Sequence, residues 1–95
     1  MTALTALPSV RLTFYTRQGC KLCQQAEDLL ADWEHEFTRV DIAGDEQLID
    51  LYGHHVPVLT AARDGEAEVL HQGPLSRCDL PSLSIRVLRL RRGHR

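Results

Sequence analysis

The chain has 95 residues, 43% of them hydrophobic and 25% charged, with 11 Lys and Arg against 13 Asp and Glu. That length suits one packed core, not two, and the composition is that of an ordinary globular protein, neither disordered nor fibrous. The net charge of -2 gives no reason to expect nucleic acid or an anionic membrane as the main partner. Val10 to Thr16, "VRLTFYT", alternates Leu12 and Phe14 against Thr13 and Tyr15 and reads as a strand. After an "RQG" loop, Leu22, Ala26, Leu29, Leu30 and Trp33 recur at helical spacing, which predicts an amphipathic helix of about three turns. "EFTRVDI" alternates imperfectly, with Phe37, Val40 and Ile42 as its apolar members, and reads as a second, buried strand.

Asp45 opens "DEQLIDLYG", a short helix with Gly53 expected as a left-handed cap. "PVLTAA" after Pro57 is the third strand, "RDGE" a hairpin turn in which Asp64 and Gly65 supply positive φ, and "AEVLH" the fourth strand. Leu80, Leu83, Val87 and Leu90 predict a closing helix from about Asp79 to Arg91, with Pro81 confined to its first turn. The order is βαβαββα in a single domain over 1–95, with 1–9 and 92–95 as flexible termini. The arginine-rich end, "RVLRLRRGHR", is expected to be solvated.

No segment approaches the ~18 apolar residues of a membrane span, and "MTALTALPSV" has no basic residues ahead of a sustained hydrophobic run, so it makes a poor signal peptide. Three cysteines, an odd number, fit a reducing compartment better than a secreted disulfide framework. A soluble, cytoplasmic protein is the expectation.

The chemistry concentrates in "YTRQGCKLCQQAEDLL", where Cys20 and Cys23 stand two residues apart as strand gives way to helix. Such a pair can hold a metal, staple the fold or exchange electrons. A cysteine at or near the helix N-cap meets unpaired backbone N–H groups and the positive end of the macrodipole, which favour a thiolate at Cys20. Cys23, almost one turn on and more enclosed, is placed to attack a mixed disulfide formed there. Lys21 and Arg17 add positive charge, screened because exposed. Zinc would need two more ligands, from Cys78, His54 and His55, without the second spaced pair that structural zinc sites carry. A permanent staple over so short a loop contributes little loop entropy.

"LTFYTRQGCKLC", "VDI", "YGHHVPVL" and a glycine before the last helix together resemble the glutaredoxin branch of the thioredoxin superfamily, more narrowly its small bacterial glutaredoxin-like proteins, from Val10 to about Leu90. The resemblance implies an α/β thioredoxin-like fold, a four-stranded mixed sheet flanked by three helices. It implies a thiol-disulfide oxidoreductase with Cys20 as nucleophile and Cys23 as resolving thiol, serving cell redox homeostasis. It further implies a cis Val56-Pro57 bond beside the dithiol, with the Val56 backbone facing an extended substrate. Lys21, Tyr15, His55 and Gly73 complete the expected substrate site. No metal and no bound cofactor are implied. The expected partners are a disulfide-containing protein or a glutathione mixed disulfide, with glutathione or a reductase system returning electrons to a monomer. The chain departs from the family pattern at Lys21-Leu22 within the dithiol, at His55 where the family has threonine before Val-Pro, and at Pro74 where it has a second glycine. The alternative is a non-enzymatic binding module on the same fold, holding zinc through the dithiol.

His55 has two readings, a tuner of Cys20 proton transfer and a solvated loop histidine. Cys78 reads as a small, partly buried hydrophobe. Trp33 and Tyr52 read as core or core-edge aromatics, and His35 and His71 belong to no pattern.

Overall fold

A computed structural model describes residues 10–63 and 65–92. β1 (Val10–Thr16) is followed by α1 (Lys21–Leu30), which carries the chain back so that β2 (Thr38–Asp41) pairs with β1 in parallel. α2 (Glu46–Tyr52) leads into β3 (Val58–Arg63), antiparallel to β1, and a hairpin lays β4 (Glu66–Gln72) beside β3. A 3-10 turn (Arg77–Asp79) feeds α3 (Leu80–Arg91). The sheet order is β2-β1-β3-β4, which is the α/β, βαβαββα architecture with a mixed four-stranded sheet and three helices.

Successive strand residues face opposite sides of a sheet. In β1 this turns Leu12 and Phe14 to one face, where Leu59 and Ala61 of β3 and Leu70 of β4 join them. Ala26 and Leu30 from α1 and Leu83 and Val87 from α3 close over that face to make the core. The other face is met by α2, whose Tyr52 ring stacks on Tyr15 at 4.5 Å between centroids. Trp33 lies at the core edge, with its indole N–H donating to Ser84 Oγ at 2.8 Å.

Several expectations need correction. α1 ends at Leu30 and Trp33 lies beyond it; the stripe it buries is Cys23, Ala26 and Leu30, while Leu22 is 41% exposed. Cys23 belongs to the apolar face, so the stripe is displaced by one residue from the leucine pattern. β2 is an edge strand paired only to β1, with Thr38 and Arg39 exposed, and is not buried. Phe37 packs just ahead of it, edge-on to Phe14. Gly53 caps α2 with a right-handed φ of -55°, not a left-handed one. Its missing side chain answers a close approach instead, since a Cβ there would meet the Ile49 carbonyl oxygen at 2.5 Å.

The hairpin has Gly65 at φ +84° and pairs Arg63 with Glu66, while Asp64 lies outside the described residues. The expected flexible termini at 1–9 and 93–95 also lie outside them; Arg92, assigned there too, is the C-cap of α3, its N–H donating to Leu88 O at 3.1 Å. Among the described residues no helix is long and apolar enough to cross a membrane.

Candidate functional site

The dithiol sits where β1 runs out. Gly19, at φ +84°, reverses the chain after Thr16-Arg17-Gln18, and Cys20 becomes the N-cap of α1 in an extended conformation with φ -93° and ψ 116°. Glycine is the residue that takes such a positive φ without steric cost. The Cys20 Sγ fills the capping role that a serine or aspartate oxygen usually takes, accepting the Cys23 N–H at 3.2 Å. Its backbone carbonyl accepts from Gln24 N at 3.1 Å, so the first turn of the helix is locked onto this residue. No acidic residue occupies that first turn.

Cys23 is in a different environment. It is 1% exposed, on the face of α1 that meets the core, whereas Cys20 is only partly covered, and both are free thiols. Burial pushes the Cys23 thiol up from its ordinary value, and the hydrogen bond with Cys20 adds to this. The Thr16 side chain and the Arg17 backbone pull partly the other way. Thr16 is itself 2% exposed. The sequence did carry a signal for it, because extending the Leu12, Phe14 alternation by one step lands on Thr16, a polar residue at an inward position just ahead of the dithiol.

A raised thiol in the folded state ties protonation to stability. The folded protein holds the Cys23 proton more tightly than the unfolded chain does, so this contribution is intact below the unfolded thiol's ~8.5 and is lost as pH rises through the folded value. We expect Cys23 in the reduced, native protein to react with iodoacetamide only above the ordinary thiol range, and Cys23→Ala to flatten the alkaline end of the stability profile. Alkylation rates against pH and urea midpoints against pH measure the two effects; a Cys23 that titrates like a free thiol contradicts both.

The loop before β3 packs against the same helix, α1. Its Val56-Pro57 peptide is cis, with Pro57 buried and Val56 half-buried. The Val56 N–H donates to Tyr52 O at 3.0 Å, and the His55 N–H to the same carbonyl at 2.8 Å. Pro57 shares a small cavity with Ala26 and Leu30, which places the loop against α1 one turn below Cys23. Gly73, at φ +84°, donates its N–H to both His55 O and Pro57 O, at 3.0 and 2.9 Å. That N–H is therefore engaged within the chain, and Pro74 has none to offer.

The other candidates are dispersed. Lys21 and Leu22 are exposed on the first turn of α1. Tyr15 faces the α2 side of the sheet, opposite to Thr16; burial, then Tyr52, pushes its phenol up. His55 is exposed, and the contacts that fix it are those of its backbone. Cys78 is exposed in the 3-10 turn, not partly buried: the Ser76 and Asp79 caps hold that turn on the surface, leaving its middle residue outward. Among the described residues no three His, Cys, Asp or Glu side chains converge as ligands for a metal ion, so His54, His55 and Cys78 do not complete a zinc site with the dithiol. Two histidines outside any pattern have definite surroundings. His35 packs edge-on to Trp33, and His71 bonds the Pro74 carbonyl.

Comparison with known proteins agrees with this fold. Northeast Structural Genomics target protein XcR50 from X. campestris has an X-ray structure that superposes with a TM-score of 0.65 at 33% identity, covering 79% of this chain and 96% of that one. The solution structure of protein Ne2328 from Nitrosomonas europaea gives 0.56 at 29% identity, with 79% and 89% covered. Trichomonas vaginalis thioredoxin shares the fold, at a TM-score of 0.56 and 21% identity over 88% of this chain and 83% of that one. No curated protein matches. The family model described as "Glutaredoxin-like domain (DUF836)" matches residues 11–85, and the chain belongs to that family.

Proposed function

We propose that the protein is a thiol-disulfide oxidoreductase that reduces or exchanges disulfides through Cys20 and Cys23. The observation that carries this reading is the asymmetry of the pair: a partly exposed sulfur capping a helix, with its Sγ on the Cys23 N–H, and a buried thiol one turn behind it. The Cys20 thiolate attacks one sulfur of a substrate disulfide, that S–S bond breaks, and the departing thiolate takes up a proton. Cys23 then loses its proton and attacks Cys20 Sγ. The substrate's second thiol leaves, and a Cys20-Cys23 disulfide remains, two electrons poorer. Two thiols of glutathione, or a reductase of the thioredoxin-reductase kind, return those electrons.

In this reading the substrate is a disulfide-bearing protein or a glutathione mixed disulfide, lying along the Val56-Pro57 loop. Because the Val56 N–H is already engaged by Tyr52, the carbonyl is the group of Val56 left to meet an extended chain. On this reading Lys21, the side chain of His55 and Gly73 add contacts to that chain. The protein would work as a monomer in the reducing cytoplasm, where a dithiol can be regenerated. It needs neither a metal nor a bound organic cofactor.

The test is to give the reduced protein a slight excess of oxidised glutathione, quench with acid, alkylate and map the peptides by mass spectrometry. The expected product is an intramolecular Cys20-Cys23 disulfide that forms before any change at Cys78. Persistence of both thiols, or oxidation confined to Cys78, rejects the reading.

A further inference from the structure

The segment that follows β4 is fastened at three points. Gly73 gives its one N–H to His55 O and Pro57 O, the carbonyls on either side of the Val56 residue. Ser76 is held by Asp79 Oδ2, which lies 2.9 Å from its N–H and 3.1 Å from its Oγ. Between them, the Pro74 carbonyl is 2.7 Å from His71 Nε2. A carbonyl oxygen only accepts, so the proton of that bond sits on Nε2. Proline has no N–H with which to anchor its own position, and the histidine supplies the tie that the backbone cannot.

The placement of His71 follows from an irregularity in β4. Leu59 pairs with His71 but Thr60 pairs with Val69, so one extra residue, Leu70, is inserted on β4. Such a bulge re-aims the side chains next to it. Here Leu70 enters the core while His71, opposite Leu59, still faces the helix-covered side. The imidazole thereby lines the same small cavity as Pro57, Ala26, Leu30 and Leu75. One side chain therefore touches the cavity under Pro57 and holds the segment whose Gly73 amide grips the loop from outside.

We propose that His71 is a positioning residue for the Val56-Pro57 loop, acting through Pro74 and the Gly73 amide to hold the loop in the shape that receives a disulfide-bearing peptide. The inference rests on the oxidoreductase reading for its consequence, and on the hydrogen bonds alone for its mechanism. His71 does not touch the thiols. Its loss changes how firmly an extended substrate is bound and leaves the chemistry of Cys20 as it was.

The experiment compares the wild type with His71→Ala and His71→Gln. Glutamine places an amide nitrogen where Nε2 stands and donates to the same carbonyl, whereas alanine donates nothing. Amide hydrogen exchange is read at Gly73, with the amides of β1 and β3 as the check on folding. Gly73 is expected to exchange about fivefold faster or more in His71→Ala, the size expected for one lost hydrogen bond, and at the wild-type rate in His71→Gln. Steady-state kinetics then use two probes, bis(hydroxyethyl) disulfide, which is too small to lie along the loop, and an extended peptide carrying a mixed disulfide. For the peptide, KM rises by a similar factor in His71→Ala with kcat retained, the small probe is unaffected, and His71→Gln restores the peptide KM. An unaltered Gly73 exchange rate in His71→Ala overturns the proposal whether or not the protein turns over disulfides, and so does equal slowing with both probes. A wild type inactive toward both probes sinks the oxidoreductase reading instead, and Gly73 exchange then decides the role of His71 by itself.

Discussion

Cys20→Ser is expected to abolish disulfide exchange, by about a thousandfold or more, because a serine hydroxyl is not ionised at neutral pH and removing a nucleophile leaves nothing for the other groups to act on. The substitution is mild for the fold. Serine is a good N-cap residue, and its Oγ can accept the same Cys23 N–H that the sulfur accepts now. Cys23→Ser has a different outcome. The first attack proceeds, the mixed disulfide on Cys20 cannot be resolved internally, and the intermediate accumulates as a mass adduct. If added glutathione resolves it, turnover persists and the cycle needs only one thiol; if turnover stops, the cycle needs both. Rates of both variants with one protein disulfide, read with and without glutathione, separate the cases. Full activity in Cys20→Ser removes the proposed function.

The largest stability effect is expected from Phe14→Ala. Phe14 is 1% exposed at the centre of β1, one of the two inner strands, and its ring meets Phe37 edge-on at 5.9 Å between centroids. Truncating a buried phenylalanine costs about 3–5 kcal/mol in lost transfer free energy and residual cavity. A domain of this size is stable by only ~5–15 kcal/mol, so the variant approaches the unfolding threshold. At ~4–8 °C per kcal/mol, the melting temperature should fall by roughly 12 °C or more. Urea denaturation followed by circular dichroism measures the loss; a cost below about 1 kcal/mol would mean that the core closes over the gap, as an overestimated cavity term would require. Because α1 packs on the same cluster, a partly loosened variant should also expose Cys23 to alkylation.

Most elements were legible because each carries its own local signal. β1 alternates, α2 has an Asp45 cap whose side chain accepts from Leu48 N, and α3 repeats its leucines with Pro81 in the first turn. The errors lie where a neighbouring element decides. Leu22 looks like core on a helical wheel, yet the face that meets the sheet is centred on Cys23. Val40 and Ile42 make β2 look buried, yet its place at the sheet edge leaves half of it in water. Gly53 looks like a left-handed cap, whereas the close approach of the Ile49 carbonyl is what demands glycine.

By itself, the sequence determined the order of elements, the two thiols and their place at the start of α1, because hydrophobic period and turn chemistry are properties of a few adjacent residues. Only the tertiary structure decided how far Cys23 is covered, that Thr16 reaches it, and that the Gly73 amide bonds the proline loop while His71 bonds Pro74. Burial depends on what packs above a residue. A hydrogen bond across the fold depends on sheet register and on a single bulge, and neither quantity is written in the spacing of the residues concerned.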